Sequence, residues 1–150
     1  MIEINNLTSF SIDKKLFTGI AKKVLKSENR VREKISLAFV SKEEIKKLNK
    51  KYRGKNKPTD VLSFELGDPP SSRLGGTTEG QGKECLGEIV ICPEKVKENA
   101  KKYKSKLKQE MIKVFIHGIL HLCGYDHEKS EKEAETMEKK QEYYLSKIIL

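Results

Sequence analysis

The stretch His117-Gly-Ile-Leu-His-Leu-Cys-Gly-Tyr-Asp-His127 contains all three histidines of this 150-residue chain. His117 and His121 are four residues apart, so on a helix their rings project from the same face, one turn above each other. Gly124 follows the last residues that fit the helical pattern, where helices commonly end in a left-handed cap. We therefore predict a helix followed by a turn that brings His127 back to the point where the other two rings meet.

Three convergent imidazoles predict a metal site with His117, His121 and His127 as ligands. They leave a fourth tetrahedral position for water, which is the arrangement of a catalytic zinc rather than of a closed structural one. Three histidines also suit nickel, copper or iron, and we prefer one Zn²⁺ per chain for its tetrahedral geometry. Cys123, inside the same stretch, is expected to be a small buried hydrophobe rather than a ligand.

The spacing of these histidines and of Gly124 equals that of the long zinc-protease motif H-E-x-x-H-x-x-G-x-x-H. Gly118 stands where that motif has its general-base glutamate, so peptide hydrolysis is disfavoured and metal-assisted hydrolysis of another bond is retained. A glycine inside a helix costs about 1 kcal/mol relative to alanine, and we expect another backbone or the substrate to approach it closely. Asp126 could orient a histidine, accept a proton or stabilise the turn.

The charge balance favours a polyanionic partner. The chain has 31 basic and 22 acidic residues and a formal net charge of +9 at pH 7, which favours association with nucleic acid. A composition rich in lysine and glutamate is also typical of heat-adapted proteins, but that bias enriches both signs and does not explain the surplus. Without a long apolar run, a secretory signal or a Cys-x-x-Cys pair, we expect a cytoplasmic protein with reduced thiols.

The hydrophobic patterns predict an α+β domain, in which helices cover a small mixed sheet mainly on one side. Strands are predicted at Ile2–Ile4, Ile35–Val40, Val61–Phe64 and Leu86–Cys92. Helices are predicted from about Ser11 to Leu25, from a capping box at Ser41 to about Lys51, from Pro93 to about Lys104, at the metal stretch, and from about Glu131 to Ile149. A segment rich in Gly, Pro, Ser and Thr at about residues 67–85 is predicted to be a mobile loop. We interpret residues 1–150 as one metal-dependent hydrolase domain.

A second candidate site is the segment from Lys46 to Lys57, which has seven basic residues, an interleaved tyrosine and no acid. A basic groove with an aromatic platform is what single-stranded nucleic acid binds, although a solvated helix face is the alternative. Arg53 is one of only four arginines, and its planar fork suggests bidentate phosphate recognition and a catalytic role. The predicted RNA-binding residues are Lys46, Lys47, Lys50, Lys51, Tyr52, Arg53, Lys55 and Lys57.

The metal stretch also resembles the H-G-x-L-H-L-x-G-Y-D-H signature of the YbeY family of bacterial endoribonucleases and ribosomal-RNA maturation factors. Two further blocks are similar to that family. They are Asn49-Lys-Lys-Tyr-Arg53 with Pro58-Thr-Asp-Val-Leu-Ser-Phe64, and Leu86-Gly-Glu-Ile-Val-Ile-Cys92, where the family more often has aspartate at the position of Glu88. The resemblance implies a cytoplasmic, zinc-binding, single-strand-specific endoribonuclease that acts in 16S rRNA maturation and ribosome quality control. It also implies a functional arginine at position 53, ribosomal RNA and ribosomal particles as partners, and a small mixed sheet packed with helices.

Three functions stay open on the residues alone. Metal-dependent cleavage of RNA leads, with Arg53 stabilising the negative charge that develops on the phosphodiester. A metallopeptidase is favoured by the histidine spacing and opposed by Gly118 and by the positive charge. The third function is a non-catalytic RNA-binding ribosome-assembly factor with a structural zinc, for which Cys123 would have to complete the ligand set. The general base is unassigned.

Overall fold

Helices and strands follow one another in the predicted order in this computed structural model, which describes residues 2–30, 33–65, 85–125 and 128–149. The elements are β1 (Ile2–Asn6), α1 (Lys14–Ser27), β2 (Lys34–Phe39), α2 (Lys42–Arg53), β3 (Val61–Glu65), β4 (Cys85–Ile91), α3 (Pro93–Lys102), α4 (Leu107–Leu122) and α5 (Glu131–Ile149). The predicted elements are confirmed and differ from the observed ones only at their ends. The predicted mobile loop at about residues 67–85 lies outside the described residues, except for Cys85, which begins β4.

The strands form one mixed sheet in the order β1-β2-β4-β3. β1 with β2 and β2 with β4 are parallel pairs, whereas β3 pairs antiparallel with β4. Gly87 is required where β3 and β4 meet, because a Cβ at this position would lie 2.3 Å from the carbonyl oxygen of Phe64. The mixed α+β fold that we predicted is therefore confirmed, with β3 held against β4 at one edge of the sheet.

Helices cover the two faces of the sheet unequally. Leu37 of β2 and Ile89 of β4 belong to the main core, to which α1, α3, α4 and α5 contribute. Ala38 and Val90, the next residues along the same strands, point to the opposite face and pack in a smaller cluster against α2. The prediction that helices lie mainly on one side is confirmed, and α2 is the helix on the other side. In the described parts of the chain, none of these helices has the length and apolar character needed to cross a membrane.

Local sequence determines both ends of α2. Ser41 is the N-cap, and its side-chain oxygen accepts a hydrogen bond from the Glu44 backbone N–H at 3.2 Å. Gly54 adopts a left-handed conformation (φ 72°) and ends the helix. The helix therefore extends past the predicted end at Lys51, which places Tyr52 and Arg53 in its last turn.

Candidate active site

A cleft of about 960 Å³ brings the two candidate sites of the sequence together. Its lining comes from the end of α2, the segment that follows α2, β3, α3 and α4. His117 and His121 of α4 line this cleft, and so do Tyr52 and Arg53 of α2. Residues more than sixty positions apart in the sequence therefore share one cavity.

His117 and His121 form a half-buried pair on α4. Their ring centres are 5.1 Å apart, and the ring planes make an angle of 75°. Two imidazoles that bind one tetrahedral zinc at about 2.0–2.1 Å have ring centres about 5 Å apart. The spacing of the two described histidines, and the chemistry of neutral imidazole, therefore fit a shared metal ion.

Gln141 of α5 contacts the first histidine of the pair. Nδ1 of His117 lies 2.9 Å from Oε1 of Gln141. Because an amide oxygen can only accept a hydrogen bond, Nδ1 of the ring is the donor in this arrangement and Nε2 carries the lone pair. Histidine ligands of metals are commonly oriented through such a bond from the second ring nitrogen.

The third predicted ligand, His127, and the predicted catalytic residue Asp126 lie outside the described residues. The turn that leads towards them is present, since Gly124 has the left-handed φ of 103° that we predicted. Within the described ranges, no three His, Cys, Asp or Glu side chains form a group that could hold a metal. The assignment of His127 as the third ligand therefore stays a prediction.

Gly118 faces the sheet. A Cβ added to it would lie 3.0 Å from Cγ2 of Ile89 in β4. The close neighbour that we expected at this glycine is thus a core side chain, and the expectation of a backbone or a substrate was wrong. A glutamate at position 118 would start from the same Cβ and would be driven into the core, where an unpaired charge is strongly disfavoured.

Cys123 is separated from the cleft. It lines a second cavity of about 400 Å³, together with Glu28, Tyr125 and other residues, and it packs against the main core. Burial raises the pKa of the Cys123 thiol to about 11. Because the thiolate is the form that binds metals, this environment disfavours Cys123 as a ligand. The side chain packs against the core as predicted, but it is half-buried rather than fully buried.

Arg53 is held over the cleft by β3. Its Nη2 donates a hydrogen bond of 2.8 Å to the carbonyl oxygen of Ser63, and its Cζ lies 6.0 Å from the ring centre of Phe64. The bond to Ser63 uses one of the five N–H donors of the guanidinium group. Tyr52 packs edge-to-face against the same phenylalanine, with ring centres 5.2 Å apart, so part of its ring belongs to the core.

The predicted RNA-binding residues divide into two groups. Those that line the cleft are Tyr52, Arg53, Lys55 and Lys57. The others, Lys46, Lys47, Lys50 and Lys51, are exposed on α2 and are not part of the lining. The second group therefore lies on the exposed surface of α2, outside the cleft.

The sequence did not predict the polar side chains that shape the cleft between the histidine pair and the basic residues. Buried Asn49 donates from Nδ2 to the carbonyl oxygen of Lys57 at 2.8 Å and so shapes the segment after α2. Asp60 accepts a hydrogen bond from Asn99 of α3 at 3.4 Å. The further residues that line the cleft and were not predicted include Glu65, Lys95 and Glu128. The burial of Asn49 could not be read from the residues themselves, and its sequence signal was its place in the block Asn49-Lys-Lys-Tyr-Arg53 that resembles a known family.

Glu28 connects the turn after α4 to the rest of the fold. Its carboxylate accepts hydrogen bonds from Tyr125 (2.8 Å) and from Tyr144 of α5, and Lys140 lies 3.4 Å away. Burial opposes ionisation of Glu28, but the hydrogen bonds from Tyr144 and Tyr125 and the charge of Lys140 outweigh it and lower the pKa of this carboxyl. These bonds hold Tyr125, which stands two residues before the third predicted ligand.

We expect Glu28→Gln to lower the free energy of unfolding by about 1–3 kcal/mol at neutral pH. The folded-state pKa of Glu28 lies below its ordinary value of 4.5, so the ionised carboxylate stabilises the fold above that pH. This contribution is lost as the pH falls through the folded-state pKa. Urea unfolding from pH 7 to pH 3 should therefore show the two proteins converging in acid. Glu142→Gln, at an exposed position of α5, is the control, and a difference from it that is constant with pH would contradict the assignment.

Comparison with known proteins agrees with this geometry. A family described as Endoribonuclease YbeY matches residues 3–149. An endoribonuclease YbeY of Thermotoga neapolitana is 44% identical over 75% of this chain and 66% of its own length, so the matched part spans about two-thirds of that relative. An endoribonuclease YbeY of Persephonella marina is 41% identical over 85% of this chain and 78% of its own length.

A solved structure is similar over almost the whole chain. The solution structure of TM1509 from Thermotoga maritima covers 99% of this chain and 89% of its own, with a TM-score of 0.68 and 34% sequence identity. The sequence resemblance, the fold and the matched range agree. This chain belongs to the endoribonuclease YbeY family.

Proposed function

We propose that this chain is a zinc-dependent, single-strand-specific endoribonuclease that acts in the cytoplasm on ribosomal RNA, in 16S rRNA maturation and in ribosome quality control. Membership of the endoribonuclease YbeY family supports the activity on RNA. The observation that carries the proposal is the shared cleft, in which the histidine pair of α4 and Arg53 of α2 line one cavity. Its substrate is an RNA strand that reaches the cleft unpaired, since bases and phosphates must enter together.

His117 and His121 would hold the metal, with His127 as the third ligand. When bound, the metal would act as a Lewis acid and lower the pKa of a water. Arg53 contributes the N–H donors that the bond to Ser63 does not use, and these stabilise the negative charge that develops on the phosphate. Lys55 and Lys57 hold the neighbouring phosphates, and buried Asn49 keeps the backbone between them in position.

The proton of the attacking water needs an acceptor near the cleft. Among the described residues, the carboxylates that line the cleft are Asp60, Glu65 and Glu128, and Asp126 stands next to a predicted ligand in the sequence. A carboxylate is a competent general base when it lies within hydrogen-bond reach of the water that it deprotonates. These four residues are the candidates for that role.

The competing functions have specific observations against them. A zinc peptidase of the matching motif needs a glutamate at position 118, where a Cβ alone would lie 3.0 Å from Cγ2 of Ile89. A structural zinc needs a fourth ligand from the chain, and Cys123 lines a cavity other than the cleft. RNA cleavage is the function that uses both the histidines and the basic residues of the cleft.

We expect the zinc-loaded protein to cut single-stranded RNA, to leave duplex RNA largely intact and to leave casein uncut. The three substrates should be compared at equal protein concentration, with added chelator as the control for metal dependence. Turnover of casein, or equal cleavage of single-stranded and duplex RNA, would contradict the proposal.

Gly118→Glu should create no peptidase activity and should lower the free energy of unfolding by more than about 3 kcal/mol, because it buries an unpaired charge.

A further inference from the structure

The turn between α3 and α4 carries a second basic and aromatic surface. Five of the eight residues from Lys101 to Lys108 are lysine, and none is acidic. Tyr103 stands among them and is 66% exposed. Lys102 places its Nζ 5.6 Å from the centre of the tyrosine ring. We call this surface, residues 101–108, the α3–α4 surface.

Helix stabilisation does not account for these lysines. Lys101 and Lys102 lie in the last turn of α3, where cations are favourable to the helix dipole. Lys106 and Lys108, in contrast, lie at the N-cap and in the first turn of α4, where a positive charge is unfavourable. Within the described parts of the chain, none of the five lysines forms an ion pair with a carboxylate. The positive charge of these five exposed lysines is therefore available to a polyanion.

The α3–α4 surface continues from the cleft. Lys95 and Asn99 of α3 line the cleft, and Tyr103 follows Asn99 by four residues, which places it on the neighbouring part of the same helix face. The backbone N–H of Tyr103 still bonds to the carbonyl oxygen of Asn99 at 3.0 Å, so the helical spacing holds to this residue. From Lys95 to Tyr103 the distance along the helix axis is about 12 Å, a length that a few nucleotides of extended RNA can span.

Tyr103 presents more of its ring than the tyrosine of the cleft does. The ring of Tyr52 packs against Phe64 and is partly buried, whereas Tyr103 is largely exposed. Bases stack on exposed aromatic rings, and neighbouring lysines contact the phosphates of the same strand. The α3–α4 surface has both parts of such a site.

We propose that single-stranded RNA leaves the cleft along α3, stacks one base on Tyr103 and places its phosphates on the lysines of the α3–α4 surface. This proposal rests on the proposed function and adds the path of the strand. It makes Tyr103 a binding residue for RNA beyond the cut site, so the benefit of this surface exists only for substrates long enough to reach it.

A length series of unstructured RNA oligonucleotides tests the path. Affinity is measured by fluorescence anisotropy on metal-free protein in chelator, so that no strand is cut. We expect Tyr103→Ala to weaken binding of the longer oligonucleotides about tenfold and to leave the shortest, cleft-filling one unchanged. Tyr103→Phe, which keeps the ring, should bind like the unmodified protein. Lys102→Gln and Lys104→Gln should each reduce the salt dependence for long RNA by about 0.7 in the logarithmic slope.

Tyr143 of α5 provides a matched control. It is also exposed, at 53%, and also has a lysine Nζ 5.6 Å from its ring centre. It stands on α5, however, and among the described residues α5 contributes none to the cleft lining, whereas α3 contributes Lys95 and Asn99. Tyr143→Ala should bind RNA of every length like the unmodified protein. If Tyr103→Ala equals Tyr143→Ala at all lengths, or if Tyr103→Phe is as weak as Tyr103→Ala, the path along α3 is overturned while the proposed function stands. If the unmodified protein neither binds nor cuts single-stranded RNA, both proposals are overturned.

Discussion

His121→Ala should reduce bound metal to background and abolish RNA cleavage, while the metal-free protein stays folded. His121 is half-buried on α4, and its ring centre lies 5.1 Å from that of His117. Its loss leaves two of the three proposed ligands, His117 and His127, and we expect two imidazoles to bind zinc too weakly to retain it against a competing chelator. Because the side chain faces the cleft and not the core, the free energy of unfolding of the metal-free protein should change by no more than about 1 kcal/mol.

The measurement is metal content per chain after dialysis, together with the cleavage rate on one single-stranded RNA. Cys123→Ala is the matched control, because it lies two residues away in the same stretch and lines the other cavity. It should keep the metal and most of the activity. Full metal occupancy in His121→Ala would contradict the proposed ligand set. Loss of metal in Cys123→Ala would also contradict it and would support a structural zinc with Cys123 as a ligand.

Arg53→Lys should lower the cleavage rate about a hundredfold or more, while the affinity for RNA changes little. The substitution keeps the positive charge and loses the planar fork, and removing a donor that stabilises developing charge typically costs this much. The bond from Nη2 to the Ser63 carbonyl holds the guanidinium against β3. A lysine that bonds to that carbonyl has fewer N–H donors left for a phosphate. We therefore expect the substitution to lower the cleavage rate rather than the affinity.

Lysine variants separate binding from chemistry. Lys55→Ala and Lys57→Ala remove charges of the cleft and should weaken binding, each lowering the salt dependence by about 0.7 in the logarithmic slope. Lys47→Ala and Lys51→Ala lie on α2 outside the cleft lining and should have smaller effects on affinity. Cleavage rates at saturating RNA should be preserved in all four. An Arg53→Lys protein that cuts at the unmodified rate would reduce Arg53 to a part of the basic surface.

The fold was predictable wherever the signal was local. The capping pattern at Ser41 and Glu44 gave the start of α2, and the left-handed turn at Gly124 followed from a glycine after the last helical residue. The central strands were predicted from continuous β-branched and aromatic runs, which are typical of strands buried on both faces of a sheet, as β2 is. The end of α2 was placed too early, since the polar residues at its end carry no hydrophobic period and Gly54 alone marks the stop.

The candidate site was predictable only in part, because its supporting contacts join distant segments. The histidine pair was predicted from its spacing, but Gln141, the partner of His117, lies 24 residues further along the chain on another helix. Nothing in the local sequence of Gly118 identifies Ile89 as its neighbour, since only the packing of α4 on β4 brings them together. Asn49, Asp60 and Asn99 likewise gain their roles from tertiary contacts that no periodicity encodes.

The contact between α4 and β4 also limits how this sequence can vary. Gly118 of α4 and Ile89 of β4 lie against each other in the core. Because Gly118 has no side chain, there is room for the whole side chain of Ile89. A Cβ added at 118 would lie 3.0 Å from Cγ2 of Ile89, so Ile89 would have to shift by a few tenths of an ångström to admit it. A smaller residue at 89 alone leaves a cavity beneath α4. We therefore expect the two positions to be epistatic, so that the effect of a substitution at one depends in size on the residue at the other. Substitutions in the core are in this way coupled to α4, the helix that carries the histidine pair, although neither Ile89 nor Gly118 takes part in the chemistry.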